Sequence, residues 1–260
     1  MKIIDLPKEH EQSYFLCLED WSKDAQESGD HKARWYAKMK QRGLRVKLAV
    51  DGNGVPGGMI QYLPAEQSTI DAPGLYFITC TWIHGYKQGR GNFQKKGMGS
   101  ALLSAAEEDA RALGAKGIAA WGLILPFWMK ASWYRKHGFK PAQRSGIMQL
   151  VWKPFASDAR PPKWIKPVKK PSTIPGKVAV TAFTNGWCLV QNLNYERTKR
   201  ACEELGDKAV FQGIDTSEPE VIREWGISDG LFIDGKRLMT GPPMSYEKIK
   251  KLIEKRVNKL

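Results

Sequence analysis

"FQKKGMGSALLSAAEEDARALGA", residues 93–115, decides how the first half of this 260-residue chain is read. Two glycines one residue apart, Gly97 and Gly99, run straight into a helical pattern. Leu102, Leu103, Ala106, Ala110 and Leu113 share one face of a 3.6-residue period, while Glu107, Glu108, Asp109 and Arg111 fall elsewhere. Gly114 supplies a stop. A glycine-rich entry leaves the first amides of a helix without partners, and the aligned peptide dipoles add positive potential there. Such an end attracts anions, and Lys95 and Lys96 beside it suit a diphosphate better than a lone carboxylate. The loop has neither the G-x-x-x-x-G-K-[ST] spacing of a P-loop nor the third glycine of a dinucleotide fingerprint.

Working outward, "LRVKLAVDGNGVPGGMIQYLP" (44–64) predicts two strands joined around a D-G/N-G turn. "GLYFITCTWIHG" (74–85), rich in β-branched and aromatic residues, predicts a third strand long enough to lie in mid-sheet. "KGIAAWGLIL" (116–125) reads as a further buried strand, and "PFWMKASWYRKHGF" (126–139) as a helix ended by Gly138. The sum is an α/β unit with strand–loop–helix–strand–helix at its centre.

Residues 153–177 carry six prolines and several lysines with no apolar period, so an extended linker is expected there. The domains expected are 1–152, a Pro/Lys-rich linker over 153–176, and a smaller α/β domain over 177–260. In the last, "KVAVTAF", "AVFQGIDT" and "GLFIDGKRLM" read as strands, the third a hairpin around Asp234–Gly235. Helices are expected after the "TNGWC" loop, at "EPEVIREWG" and at "SYEKIKKLIEKRVNKL", where Ile249, Leu252, Ile253, Val257 and Leu260 share a face.

The composition, 42% hydrophobic and 26% charged, is that of a globular chain. No apolar run approaches the roughly 20 residues that cross a bilayer, and the N-terminus lacks a signal-peptide core, so a cytoplasmic protein with no membrane partner is expected. The four cysteines, Cys17, Cys80, Cys188 and Cys202, form no metal-ligand cluster with the four histidines, and no metal site is expected. A formal charge of +14 attracts polyanions without choosing among them.

"QKKGMGSALL" matches the Q/R-x-x-G-x-G/A signature of the GCN5-related N-acetyltransferases (GNAT), between a long strand and an amphipathic helix as that family requires. "SWYRKHGFKPA" resembles the family's later segment, where a tyrosine precedes a G-F pair. The resemblance covers about residues 1–152 and is firmest from Leu75 to Pro141. It implies a GNAT-fold mixed sheet flanked by helices, and acetyl-CoA as acyl donor to an amine of a small molecule or peptide. The diphosphate would sit on the amides of Gln94, Lys95, Lys96, Gly97, Met98, Gly99 and Ser100. The pantetheine arm would pair with backbone at Thr79, Cys80, Thr81, Trp82 and Ile83. Tyr134 matches the family's general acid. The family's strand glutamate is missing, which leaves His84 as the nearest base, with a water chain or Glu19, Asp20, Glu27 or Asp30 as alternatives.

The order βαβ-α-ββα of residues 177–260 resembles thioredoxin-like domains, with "GWC" where their W-C-x-x-C motif opens. Gln191 replaces the second cysteine, so dithiol exchange within the motif is impossible, and Asp229 stands where that family has a cis-proline, which weakens a redox role further. Cys188 at a helix start remains a possible reactive thiol. A GNAT domain followed by this altered module resembles the bacterial YoaP-like acetyltransferases. Two other functions stay open. One is a thiol-dependent protein using Cys188, with a GNAT-like sensor domain; the other is nucleic-acid binding through the lysine-rich linker, whose charge reads better as solvated because no ordered recognition motif accompanies it.

Overall fold

The computed structural model describes residues 1–125, 129–238 and 243–260. In chain order its elements are β1 (Lys2–Asp5), α1 (Glu11–Phe15), α2 (Lys23–Gln26), α3 (His31–Lys40), β2 (Arg45–Val50), β3 (Pro56–Pro64), β4 (Ile70–Asp71), β5 (Leu75–Ile83), α4 (Met98–Ala112), β6 (Gly117–Leu123), α5 (Ala131–Lys136), β7 (Lys140–Ser145), β8 (Met148–Pro154) and β9 (Lys163–Trp164). There follow β10 (Val178–Thr184), α6 (Leu189–Leu205), β11 (Ala209–Asp215), α7 (Pro219–Trp225), β12 (Gly230–Ile233), β13 (Lys236–Leu238) and α8 (Tyr246–Val257).

Two compact units result. One comprises Met1–Ser22 with Tyr36–Ile165, the other Lys23–Trp35 with Lys166–Leu260. Residues 23–35, expected in the first domain, therefore go with the second unit. The first part of the expected linker goes with the first unit, because β9 pairs antiparallel with β4, Ile70 opposite Trp164. The Trp164 amide donates to Gln143 Oε1 at 2.7 Å, and its ring packs against the Ile70, Leu75 and Leu150 cluster. A proline-rich stretch still packs its tryptophan, partly buried, where apolar surface is offered.

The first unit is built on a seven-stranded sheet in the order β1-β2-β3-β5-β6-β8-β7. Every neighbouring pair is antiparallel except β5 and β6. The β2–β3 turn forms as expected, with Asp51 Oδ1 accepting from the amides of Asn53 and Val55 at 2.9 Å each. Helix α4 presses Met98, Leu102, Leu103, Ala106 and Ala110 onto Ile60, Tyr62, Ile78 and Ile118. Each leucine so buried contributes about 2 kcal/mol. Leu113, expected on that face, is instead 49% exposed, since the helix ends at Ala112 and Gly114 turns the chain at φ +78°.

Polar chemistry fixes the same helix. Asp109 accepts from the Arg45 guanidinium at 2.8 and 3.0 Å and from the Tyr62 hydroxyl at 2.6 Å, tying α4 to β2 and β3. Burial alone would push the Asp109 carboxyl up. The bonds from Arg45 and Tyr62, with the charge of Lys47, outweigh that and hold it below the usual carboxylate range. Of the helix expected over 126–139, only α5 is helical among the described residues: Met129 has φ 51° and Lys130 is extended, bridging Leu123, so the helix starts at Ala131, while Pro126 to Trp128 lie outside the described residues.

The second unit has a four-stranded sheet ordered β11-β10-β12-β13. β10 and β11 are parallel across the α6 crossover, and β12 and β13 run antiparallel to their neighbours. The expected hairpin turn is there, Asp234 and Gly235 both at positive φ (48° and 72°), as a type I′ turn requires. Met239, expected in its second strand, is outside the described residues. Helix α8 buries Ile249 and Ile253, with Leu252 and Val257 packed against the same core, and Ser245 caps its start by accepting from the Lys248 amide at 3.3 Å. Leu260, expected on that face, is 64% exposed beyond the helix end. Among the described residues no helix is long and apolar enough to cross a membrane.

Candidate functional site

Strands β5 and β6 part company halfway along. They pair from Leu75 opposite Gly117 to Ile78 opposite Ala120, and no further. β5 runs on to Ile83 while keeping β3 on its other side, to Gly58 opposite Ile83. Past Ile78, β5 therefore has no strand on its β6 side among the described residues, and such an edge accepts an extended ligand as an added strand.

The fork has a visible cause. The β3–β5 register shifts between Gln61 and Tyr62, so Thr79 is an extra residue, and a bulge of this kind bends its strand. A buried chain of hydrogen bonds holds the bulge: the Tyr14 hydroxyl donates to Gln61 Oε1 at 2.8 Å, and Gln61 Nε2 donates to Thr79 Oγ1 at 2.8 Å. Across the opening, the Trp121 indole N–H donates to the Thr79 carbonyl at 2.9 Å. The Thr79 carbonyl is thereby removed from the expected ligand-pairing edge, and Cys80 is a buried thiol. Thr81, Trp82 and Ile83 keep the open side.

Directly beyond that edge comes the glycine loop. Lys95 and Gly97 adopt positive φ (61° and 81°), and Gly97 is the N-cap of α4 with no side-chain cap. The Gln94 amide donates to Asn92 Oδ1 at 2.9 Å, and the Ala101 amide to the Gly97 carbonyl at 3.1 Å. Between them, the amides of Lys95 through Ser100 have no acceptor among the described residues. Gln94, expected in the anion nest, drops out because its N–H is already satisfied. Met98 contributes only an amide, its side chain being buried in the core. Lys95, Lys96 and Gly97 are exposed to solvent.

Tyr134 on α5 is fully buried, and its hydroxyl lies 3.2 Å from Thr81 Oγ1 on the open stretch of β5. Burial pushes the phenol well up despite the Thr81 bond, so it stays protonated at neutral pH and can act only as a proton donor. Three contacts place its helix against α4. Lys153 Nζ donates to the His137 carbonyl at 3.0 Å and to Glu107 Oε2 at 2.7 Å. Ser100 Oγ meets His137 Nε2 at 2.9 Å, and a Cβ on Gly99 would stand 3.4 Å from the Trp133 ring.

His84, expected as a base, is not available as one. It is fully buried, with Nδ1 2.7 Å from the Gly91 carbonyl and Nε2 3.0 Å from the Trp21 indole nitrogen. A carbonyl only accepts and an indole N–H only donates, so the ring is the neutral Nδ1–H tautomer with both nitrogens engaged. Its backbone also accepts from Phe93 and donates to Gly57, at 2.9 Å each, closing the 85–92 loop. Short-range pattern reading missed Trp21, Gln61, Trp121 and Lys153, each of which has a partner more than forty positions away, in His84, Tyr14, Thr79 and Glu107 respectively.

In the second unit Cys188 is the N-cap of α6, half exposed, above a buried polar frame. Thr184 Oγ1 donates to Asn192 Oδ1 at 3.0 Å, Asn192 Nδ2 to the Gly186 carbonyl at 2.9 Å, and Asn185 Nδ2 to the Thr216 carbonyl at 2.7 Å. Cys202 is buried in the core, and burial pushes its thiol up to about 12. Burial likewise raises the Asp229 carboxyl, although the Ser228 hydroxyl donates to it at 2.6 Å. None of the four cysteines is in a disulfide, and the described residues hold no cluster of metal ligands.

The sequence matches no protein-family model and no curated protein. Among solved structures, this chain is similar to an acetyltransferase of the GNAT family from Staphylococcus aureus Mu50, at 12% identity, 59% of this chain, 98% of that one and a TM-score of 0.44. It is similar to an N-acetyltransferase of Thermoplasma acidophilum solved with coenzyme A, at 16% identity, 60% of this chain, 100% of that one and a TM-score of 0.43. A Bacillus subtilis acetyltransferase solved with CoA matches at 22% identity, 59% of this chain, 98% of that one and a TM-score of 0.40.

Proposed function

We propose that the first unit is an acetyl-CoA-dependent N-acetyltransferase, and that it transfers the acetyl group to an amine of a small molecule or peptide. The observation that carries this reading is the continuity of two unsatisfied backbone surfaces, the open β5 edge at Thr81–Ile83 and the vacant amides of Lys95–Ser100. Acetyl-CoA has the matching parts in the matching order: an amide-bearing arm for a strand edge and a diphosphate for an amide nest. Lys95 and Lys96 add charge for the phosphates. Tyr134 lies against Thr81 on that edge, positioned to give its proton to a departing thiolate.

The residues that would hold the donor are thus Thr81–Ile83 and Lys95–Ser100, through backbone. Acetyl-CoA supplies the activated acyl group; the chain supplies orientation, exclusion of water and the proton at Tyr134 Oη. Calorimetric titration tests this. A saturable heat below about 1 mM acetyl-CoA is expected, and no heat at that concentration would remove the assignment.

For the second unit we infer a thioredoxin-like module of the YoaP-like kind. Its strand order, with one parallel pair at β10–β11 and an antiparallel β12–β13 hairpin, supports that reading. A lone reactive thiol at Cys188 is the second reading, favoured by its place at the start of a 17-residue helix with no acidic residue in the first turn. Alkylation at an ordinary thiol rate at pH 7 would dismiss it.

A further inference from the structure

Acetyl transfer to an ammonium needs a proton acceptor, and the described residues beside the open stretch of β5 narrow the choice. His84 has both nitrogens engaged, Cys80 is a buried thiol, and Tyr134 is a donor. Thr81 meets Tyr134, so the next side chain, Trp82, stands on the other face of the strand. There an aromatic wall forms. Tyr86 lies 6.3 Å from the Trp82 ring and 5.7 Å from the Trp21 ring, and both Trp21 and Tyr86 are large exposed rings, at 40% and 44%.

A carboxylate borders this wall. After α1 the chain turns through two left-handed residues, Cys17 (φ 52°) and Leu18 (φ 63°), which brings round Glu19 and Trp21. Glu19 is half-buried in a turn that the Ser22 amide closes onto the Glu19 carbonyl at 2.9 Å, with Trp21, the ring against Tyr86, inside that same turn. The Tyr86 phenol is pushed up first by burial and then by the Glu19 charge. The neighbouring Asp20 is already committed to Arg90, whereas Glu19 has no cationic partner among the described residues. One more group points to a ligand. The Trp82 indole nitrogen is buried and has no acceptor among the described residues, an unmet donor that costs about 1–3 kcal/mol.

We propose that Glu19, Tyr86, Trp21 and Trp82 form the acceptor subsite, with Glu19 as the proton acceptor. The class of substrate it takes is a primary ammonium on an apolar or aromatic skeleton that carries one oxygen function. The inference rests on the acetyl-transfer reading above. The aromatic faces hold the cation and its carbon skeleton, the Trp82 N–H donates to the substrate's oxygen, and the Glu19 carboxylate takes one proton from R–NH3+ to free the nitrogen lone pair. The C–N bond then forms as the C–S bond breaks, and Tyr134 protonates the departing thiolate. The second proton lost by nitrogen restores the Tyr134 phenol, so one proton per turnover leaves through Glu19. A carboxylate next to the amine, as in an α-amino acid, would be repelled by Glu19.

The test uses the full chain with tyramine, glycine and glutamate as probes. Tyramine is expected to change indole emission saturably without acetyl-CoA, and with it to release free thiol at a kcat/KM at least about tenfold above either amino acid. Glu19→Gln should lower kcat about 100-fold at pH 7 while leaving the acetyl-CoA heat unchanged. Tyr86→Leu should raise the KM for tyramine with kcat nearly kept. Glutamate turning over as well as tyramine, or a Glu19→Gln variant at the wild-type rate, would overturn the subsite. A missing acetyl-CoA heat with the tyramine signal intact would sink the transfer reading and leave the amine site standing.

Discussion

Two long helices each follow a central strand as the next element, α4 after β5 and α6 after β10, and only one of those strands reaches its helix with an unpaired edge. β10 is flanked along its length by β11 and along Val180–Phe183 by β12, so its backbone is satisfied before α6 begins. β5 is half released by the bulge at Thr79 and the fork from β6. The loop before α6 is sealed as well, since a Cβ on Gly186 would stand 2.9 Å from the His31 carbonyl and from Trp35 Cβ. A Cβ on Gly97 would meet nothing within 4 Å. What distinguishes the candidate site is therefore the unpaired strand leading into the helix start, more than the helix start itself.

The largest effect that would break this comparison is at Tyr134. Tyr134→Phe is expected to lower kcat about 100-fold with the acetyl-CoA Kd within about twofold of wild type, by stopped-flow thiol release and calorimetry. Unchanged kcat would remove the proton donor from the account.

Next come matched glycine replacements. Gly97→Val places a β-branched residue at φ +81° and should weaken acetyl-CoA about 30-fold, from roughly 2 kcal/mol of left-handed strain. Gly186→Val meets the same left-handed penalty at φ +100° together with a steric conflict, and should lower the Tm of the protein while leaving the acetyl-CoA Kd alone. If the two variants exchanged phenotypes, the assignment of the two helix starts would be reversed.

A smaller effect is expected from Lys153→Met, which frees the end of α5 from α4. A fall in kcat of about three- to tenfold is predicted without loss of cofactor affinity, and partial recovery in Lys153→Arg would mark a positioning role. The smallest is a pH effect at Asp109. Its folded carboxyl lies below its unfolded value, so its contribution to stability is present above about pH 4 and is lost as pH falls through the folded value. Asp109→Asn should flatten the acid limb of the urea midpoint between pH 7 and 3.

Much of this was legible in the sequence, for reasons tied to range. The β2–β3 turn, the apolar face of α4 and the hairpin at Asp234–Gly235 are written in residues a few positions apart. The fork was not, because the bulge at Thr79 depends on Tyr14, Gln61 and Trp121, brought together only by the sheet order. His84 illustrates the same limit from the other side. An imidazole at a strand end reads as a base until Trp21, 63 positions away, takes its lone pair. Segment 23–35 belongs with the second unit through partners such as Glu196, which His31 meets at 2.5 Å across 165 positions, and no local pattern encodes that pairing.

The central claim concerns backbone groups, so amide hydrogen exchange measured with and without saturating acetyl-CoA tests it most directly. Slowed exchange is predicted at Thr81–Ile83 and Lys95–Ser100, with no change at Cys188–Asn192. Protection confined to the start of α6, or none at Lys95–Ser100 when the ligand is bound, would contradict the account.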